Sequence, residues 1–201
     1  MRRFALIILL SVFASFLGLD GPGATAPFEK AVPGAQGNAV LAQGSLPPAG
    51  RILLARPLGP RLIHQTFSID GDGTNLRQIT NHPESTSGPA WSPDGEQIAF
   101  FAYVDRTDAT AIAIFTQSAA GGGATQVTPA DDGVLEISPR WSPRGDKIAY
   151  ITRNYPARDE PVKLDAHVMN PDGSGDVTLA VDALPLSWSP DGSQIAYRDS
   201  P

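Results

Sequence analysis

The chain has 201 residues, 41% of them hydrophobic, with 21 acidic and 15 basic side chains, a net charge of −6 and no cysteine. The missing cysteine excludes disulfides, thiolate metal sites and a cysteine nucleophile; the net negative charge, with no offsetting run of Lys or Arg, excludes a nucleic-acid partner. Twenty glycines and 19 prolines predict many short elements and argue against long helices.

Arg2 and Arg3 precede an apolar run over 4–19, the pattern of a secretory signal peptide. Ala24-Thr25-Ala26 supplies a small-x-small cleavage site, although Pro27 follows it directly, and Ala42 with Val40 offers a later one. Residues 1–26 are therefore read as a signal peptide that places the protein in the secreted or periplasmic (cell-envelope) compartment. Retention in the membrane follows only if this segment stays uncleaved, and its 16 residues fall short of the roughly 20 that a spanning helix needs. Residues 27–50 are rich in Gly, Ala, Pro and Gln with little periodicity, and read as a flexible linker.

The folded part is expected over 51–201. A first strand is predicted over 51–55 and a second over 62–69, followed by the Gly-rich turn Asp70-Gly-Asp-Gly-Thr-Asn75, a third strand over 77–80, and a fourth leading into Trp91. Trp91-Ser-Pro-Asp-Gly-Glu-Gln-Ile-Ala-Phe100 comes next. It recurs as Trp141-Ser-Pro-Arg-Gly-Asp-Lys-Ile-Ala-Tyr150 and as Trp188-Ser-Pro-Asp-Gly-Ser-Gln-Ile-Ala-Tyr197, at spacings of 50 and 47 residues. A period of that size marks a stacked array of small β units. In the Ser-Pro-Asp-Gly turn, Pro presets φ, Asp bonds back to the local backbone, and Gly takes the left-handed conformation that completes the reversal. Ile98 with Phe100, Ile148 with Tyr150 and Ile195 with Tyr197 then alternate as half-buried strands, and the Trp rings suit packing between sheets.

Second strands over 111–117 and 165–170, Gly-rich turns at 120–123 and 171–175, and third strands over 125–128 and 177–181 repeat the same plan. The expected class is all-β: a partial β-propeller of about three four-stranded antiparallel blades, at 51–92, 97–142 and 147–189, plus the first strand of a fourth at 194–198. The Trp-Ser-Pro-Asp-Gly repeat, with the Gln-Ile-Thr80 and Gln-Val-Thr128 segments, resembles the repeat of TolB-type propellers over about 51–198; Val177-Thr178-Leu179 departs from it. The resemblance implies a protein-interaction domain of the bacterial envelope or an accessory domain of a peptidase.

No catalytic, cofactor-binding or metal-binding residue is assigned. Asp70-Gly-Asp-Gly-Thr-Asn75 lacks the Gly and the distal carboxylate of a calcium loop, since Asn75 and Asn81 occupy those positions. Arg144 replaces the turn aspartate in the middle repeat, which a turn tolerates and a shared ligand site does not. No Gly-x-Ser-x-Gly elbow accompanies Ser92, Ser142 or Ser189. His64 and His167, in comparable second strands, hint at a shared face but read better as hydrogen-bonded structural residues.

Recognition is expected where the connections vary. Antiparallel order puts the loops at 56–61, 104–110 and 154–164 on one face, opposite the stereotyped turns. The last of these carries Tyr155, Arg158 and Lys163, the candidate partner-binding residues. The leading functional expectation is a non-catalytic module binding a protein or cell-envelope ligand; the alternative is the propeller portion of a prolyl-oligopeptidase-type serine peptidase. Three blades fall short of the four to eight in a typical ring. A longer gene product, a homodimer that completes the ring, and an open array are the readings this leaves.

Overall fold

Each Trp-Ser-Pro-x-Gly segment closes a β-hairpin. The Gly95 amide donates to the Ser92 carbonyl at 2.9 Å and the Ser92 amide to the Gln97 carbonyl at 2.9 Å, and the pattern repeats at Ser142/Gly145/Lys147 and Ser189/Gly192/Gln194. Gly95, Gly145 and Gly192 have φ of 72°, 73° and 69°, in the left-handed region that glycine enters without steric cost. The computed structural model describes residues 50–104, 111–131, 133–154 and 162–199, all within a compact unit spanning 37–201. The expected signal peptide and linker, Tyr155 and Arg158 lie outside the described residues.

The described residues form strands and no helix, so none of them makes a helix long and apolar enough to cross a membrane. The elements are β1 (Arg51–Leu58), β2 (Ile63–Asp70), β3 (Arg77–Gln78), β4 (Thr86–Trp91), β5 (Gln97–Tyr103), β6 (Ile112–Ser118), β7 (Thr125–Gln126), β8 (Val134–Trp141), β9 (Ile148–Asn154), β10 (Lys163–Met169), β11 (Val177–Ala180), β12 (Ala183–Trp188) and β13 (Ile195–Asp199). Antiparallel pairing groups them as β1-β2-β3, β4-β5-β6-β7, β8-β9-β10-β11 and β12-β13. One parallel bridge, Ile112 to Leu135, joins the second and third groups. The Trp strand thus opens a sheet and does not close one. The sequence units 51–92, 97–142 and 147–189 each straddle two sheets, because a repeat period does not say which strand pairs first. Among the described residues no pairing joins β1 to β13.

The sheets stack in chain order: β4 packs on β1 and β2, β8 on β4, β5 and β6, and β12 on β9 and β10. This stacking changes the burial expected of the repeat. Ile98, Ala99, Phe100, Phe101 and Ala102 are buried in succession, as are Ile148, Ala149, Tyr150 and Ile151. These strands are covered on both faces, not half-buried, because another sheet lies on each side. The third copy differs, with Tyr197 51% exposed. Trp91 joins Leu53, Ile79, Ile98, Phe100 and Phe115 in one core cluster that spans the first two sheets, and Arg51 lies over its ring, 5.6 Å from the centroid. Trp188 donates its indole N–H to the Arg140 carbonyl at 3.2 Å, which ties the last hairpin to the third sheet.

The Gln-x-Thr pairs have a local purpose. β3 and β7 are two residues long, and the threonine that follows replaces the next ladder bond. The Thr66 amide donates to Thr80 Oγ1 at 2.8 Å and the Ile114 amide to Thr128 Oγ1 at 2.8 Å. In the departing third copy, Thr178 pairs with His167 in the four-residue β11. A bulge sits three residues before each of the first two Trp residues, at Gly88-Pro89 and Ser138-Pro139, with φ of 56° at Gly88 and 57° at Ser138.

Candidate partner-binding face

Strand alternation gives the array two unlike ends. The turn end holds the Trp-Ser-Pro-x-Gly hairpins and the β2–β3, β6–β7 and β10–β11 turns. These are self-satisfied. Asp72 accepts from the Thr74 amide at 2.9 Å and hydroxyl at 2.7 Å, while Asp70 accepts from Asn75 Nδ2 at 2.7 Å. Asp172 holds Ser174 in the same way, at 2.9 and 2.7 Å. The Thr74 and Ser174 hydrogen bonds hold the carboxyls of Asp72 and Asp172 below the ordinary aspartate value. The Asp70-Gly-Asp-Gly segment therefore spends its carboxylates on its own turn, and no group of three or more metal-ligating side chains is found among the described residues. Neighbouring turns also pack on one another: Gly145 lies beside Pro93, Gly192 beside Pro143 and Arg144, and Arg77 donates to the Ala120 carbonyl.

Ser92, Ser142 and Ser189 are consumed by their turns as well. Each hydroxyl accepts from the amide five residues on, at 2.9, 3.2 and 2.9 Å. Ser189 donates to Asp191 at 2.6 Å, and that hydrogen bond is the main reason the Asp191 carboxyl is held down at about 2.

The loop end holds the β1–β2, β5–β6 and β9–β10 connections. Lys163 is exposed at the start of β10, the one member of the expected Tyr155, Arg158 and Lys163 set that the described residues include. A signal that sequence reasoning missed lies beside it. Leu62, Val104 and Val162 are 65%, 38% and 39% exposed, and each stands in the corresponding connection of three successive sheets. A large apolar side chain repeatedly left in water at one end of a stacked array marks an interaction surface better than a single exposed residue does. Arg56 and Arg61 belong to the same end.

The histidines do not form a common site. β2 and β10 align through Phe67 and His167, each paired with its third-strand residue, Gln78 and Thr178, so His64 corresponds to Leu164. His64 is exposed whereas His167 is largely enclosed, and an offset of three residues puts them on opposite sheet faces. His82 packs edge-on against Phe115 with centroids 4.9 Å apart, and burial holds its imidazole below the ordinary histidine value. Gln65 fixes the backbone of His82, accepting from its amide and donating to its carbonyl, both at 2.9 Å.

No family model matches the chain. An uncharacterized protein of Agrobacterium fabrum, Atu1656, is 28% identical over 144 residues, which cover 67% of this chain and 47% of that protein. The Tol-Pal system protein TolB of Francisella tularensis is 41% identical over 66 residues, 33% of this chain and 14% of TolB. The solved structure of a putative TolB from Agrobacterium tumefaciens superposes with a TM-score of 0.58 at 22% identity, covering 72% of this chain and 50% of that one. The chain is similar to TolB-like propeller proteins. Its stacked meanders are propeller sheets in fold, and the chain spans less than half the length of the curated relatives it matches.

Proposed function

We propose that the chain is a non-catalytic propeller module of the cell envelope and that its loop end binds a protein. The observation that carries this reading is the recurrence of Leu62, Val104 and Val162 at one end of three successive sheets. Arg56, Arg61 and Lys163 add positive charge around these apolar anchors, in a chain whose net charge is −6. A partner segment carrying apolar and acidic side chains fits that chemistry. Similarity to a Tol-Pal system protein supports an envelope role, and the Arg2-Arg3 apolar run supports export. The peptidase alternative rests on fold alone.

The test is crosslinking capture from a cell-envelope extract. The unaltered chain should capture a defined protein. A Leu62→Asp, Val104→Asp, Val162→Asp variant and a Tyr155→Ala, Arg158→Ala, Lys163→Ala variant should capture at least tenfold less, while Leu76→Asp, exposed in the β2–β3 turn at the opposite end, should leave capture unchanged. Equal capture by all forms overturns the reading.

A further inference from the structure

One face of the third sheet departs from its counterpart in the second at a run of aligned positions. In the second sheet the face includes Thr86, Phe100, Ala102, Ala113, Phe115 and Ala124, almost wholly apolar, with Phe100 and Phe115 stacked at 5.7 Å. The register aligns these with Glu136, Tyr150, Thr152, Asp165, His167 and Asp176. An aromatic pair has become a Tyr–His stack, with centroids 5.1 Å apart, inside a set of groups able to carry charge. The Tyr150 hydroxyl bonds Asp176, His167 Nδ1 lies 3.7 Å from the Asp176 carboxylate, and His167 Nε2 lies 3.2 Å from Thr152 Oγ1.

Glu136 is at the centre of the difference. It is 5% exposed, on β8, the strand that packs against the second sheet. The Thr128 hydroxyl and the Ile114 amide reach its carboxylate, yet its Oε2 has no hydrogen-bond partner. The aligned Thr86 offers a small hydroxyl that bonds Thr66 at 3.0 Å. A carboxylate in that place, with one oxygen unserved, is tolerated far better with a proton than with a charge.

We propose that the contact between the second and third sheets is a proton-operated joint, closed while Glu136 carries a proton and loosened when it gives the proton up. Burial and the nearby charges act in that direction, and they outweigh the hydrogen bonds from Thr128 and Ile114, which favour the charged form. Asp131, from the loop before β8, and Asp176, from the turn before β11, are the nearby charges, and both are negative. Tyr150 on β9 is held neutral, its hydroxyl pushed up by burial. Strands β4, β5 and β6, packed against β8, carry one titratable residue among them, Tyr103. Arg140 and Arg153 alternate to the opposite sheet face, since they pair with Ala149 and Leu135. Asp165 on β10 pairs with Thr152, the partner of Glu136, and so adds a third acidic group on this face, where it accepts from the Asp182 amide at 2.9 Å; Lys163 stands two residues farther along β10. Among the described residues, no cation from the second sheet meets Glu136 when it ionises. Burial accordingly pushes its carboxyl from an ordinary 4.5 up to about 7, which puts the change of state near neutrality.

Amide hydrogen exchange on the full chain, corrected for the intrinsic pH dependence of exchange, tests this between about pH 6 and 8. Linkage between a closed-state value of about 7 and an ordinary open-state value predicts that opening of β8 and β9 amides rises about tenfold over that range. Amides of β1 and β2 should show no such rise. Glu136→Gln should hold the β8 and β9 profile flat. Where that variant does not fold, Glu136→Thr, the residue type of the aligned position, replaces it, and the wild-type contrast between β8–β9 and β1–β2 decides if neither folds. A flat wild-type profile, an equal rise in all four strands, or a folded neutral variant that keeps the rise would overturn the proposal.

Discussion

Asp146 accepts the hydroxyl hydrogen of Ser142 at 2.8 Å, the role that Asp94 performs for Ser92 from two residues nearer the serine. The middle repeat has Arg144 where the others have aspartate, and Arg144 now pairs with Asp146 at 3.0 Å. The carboxylate was moved along the turn and not lost. Ser142 is fully buried, so its hydroxyl needs both its donor and its acceptor.

Removing that partner should weaken the hairpin, and restoring it from the other position should repair it. Asp146→Ala is expected to lower the melting temperature, and adding Arg144→Asp to that variant should recover half or more of the loss. Thermal melts of the single and double variants check this; no recovery would mean that Asp146 acts through its pairing with Arg144.

Gly73 and Gly173 sit at the same position of their turns with the same backbone, φ of 85° and 86°, but in different surroundings. A Cβ on Gly73 would meet nothing within 4 Å, whereas one on Gly173 would lie 2.0 Å from the Val127 carbonyl oxygen. Gly73→Ala should therefore cost about 1 kcal/mol, the left-handed backbone penalty alone. Gly173→Ala should cost about 3 kcal/mol or more, because the third-sheet turn must lift from the second sheet. Urea denaturation of both variants reads the difference; equal losses would place the whole cost in the backbone.

Ser138 holds φ 57° at the bulge where the second sheet has Gly88. Ser138→Gly should stabilise the fold by about 0.5–1 kcal/mol, measured as a rise in the urea midpoint. The reverse change at Gly88 should be strongly unfavourable, since a Cβ there would stand 2.6 Å from the Phe101 ring.

Stability should vary with pH in two opposed ways. The carboxyls of Asp94, Asp146 and Asp191 are lowered chiefly by their serine hydrogen bonds. Each contributes stability that is present above the unfolded aspartate value and lost as pH falls through its folded value. Glu136 is the opposite case: between 4.5 and about 7 the folded state holds a proton that the unfolded state has released, so stability falls as pH rises through that window. The melting temperature should peak near about pH 5. Glu136→Gln should raise stability by about 2–3 kcal/mol above neutrality and broaden the maximum. A wild-type melting temperature that does not fall between pH 5 and 8 would contradict this.

Much of the fold was legible in the repeat. Turn chemistry is local, so Ser-Pro-Asp-Gly reads directly as a reversal, and Ile-Ala-Phe or Ile-Ala-Tyr as the strand after it. The sheet boundaries were less legible, because Trp91 strands look alike whether they close one sheet or open the next. The loop-end apolar residues escaped notice because Leu62, Val104 and Val162 are ordinary in composition and become informative only through their exposure.

The sequence by itself determined the all-β class, the period, the hairpin turns and the expectation of stacked units, since these depend on neighbours within a few residues. Tertiary structure alone decided that Ile98 to Ala102 would be buried on both faces while Tyr197 stays exposed. It alone decided that Glu136, Tyr150, His167 and Asp176 would meet on one face. Those outcomes depend on which sheet lies against which, and burial is what turns an ordinary glutamate into a group that holds its proton near neutrality.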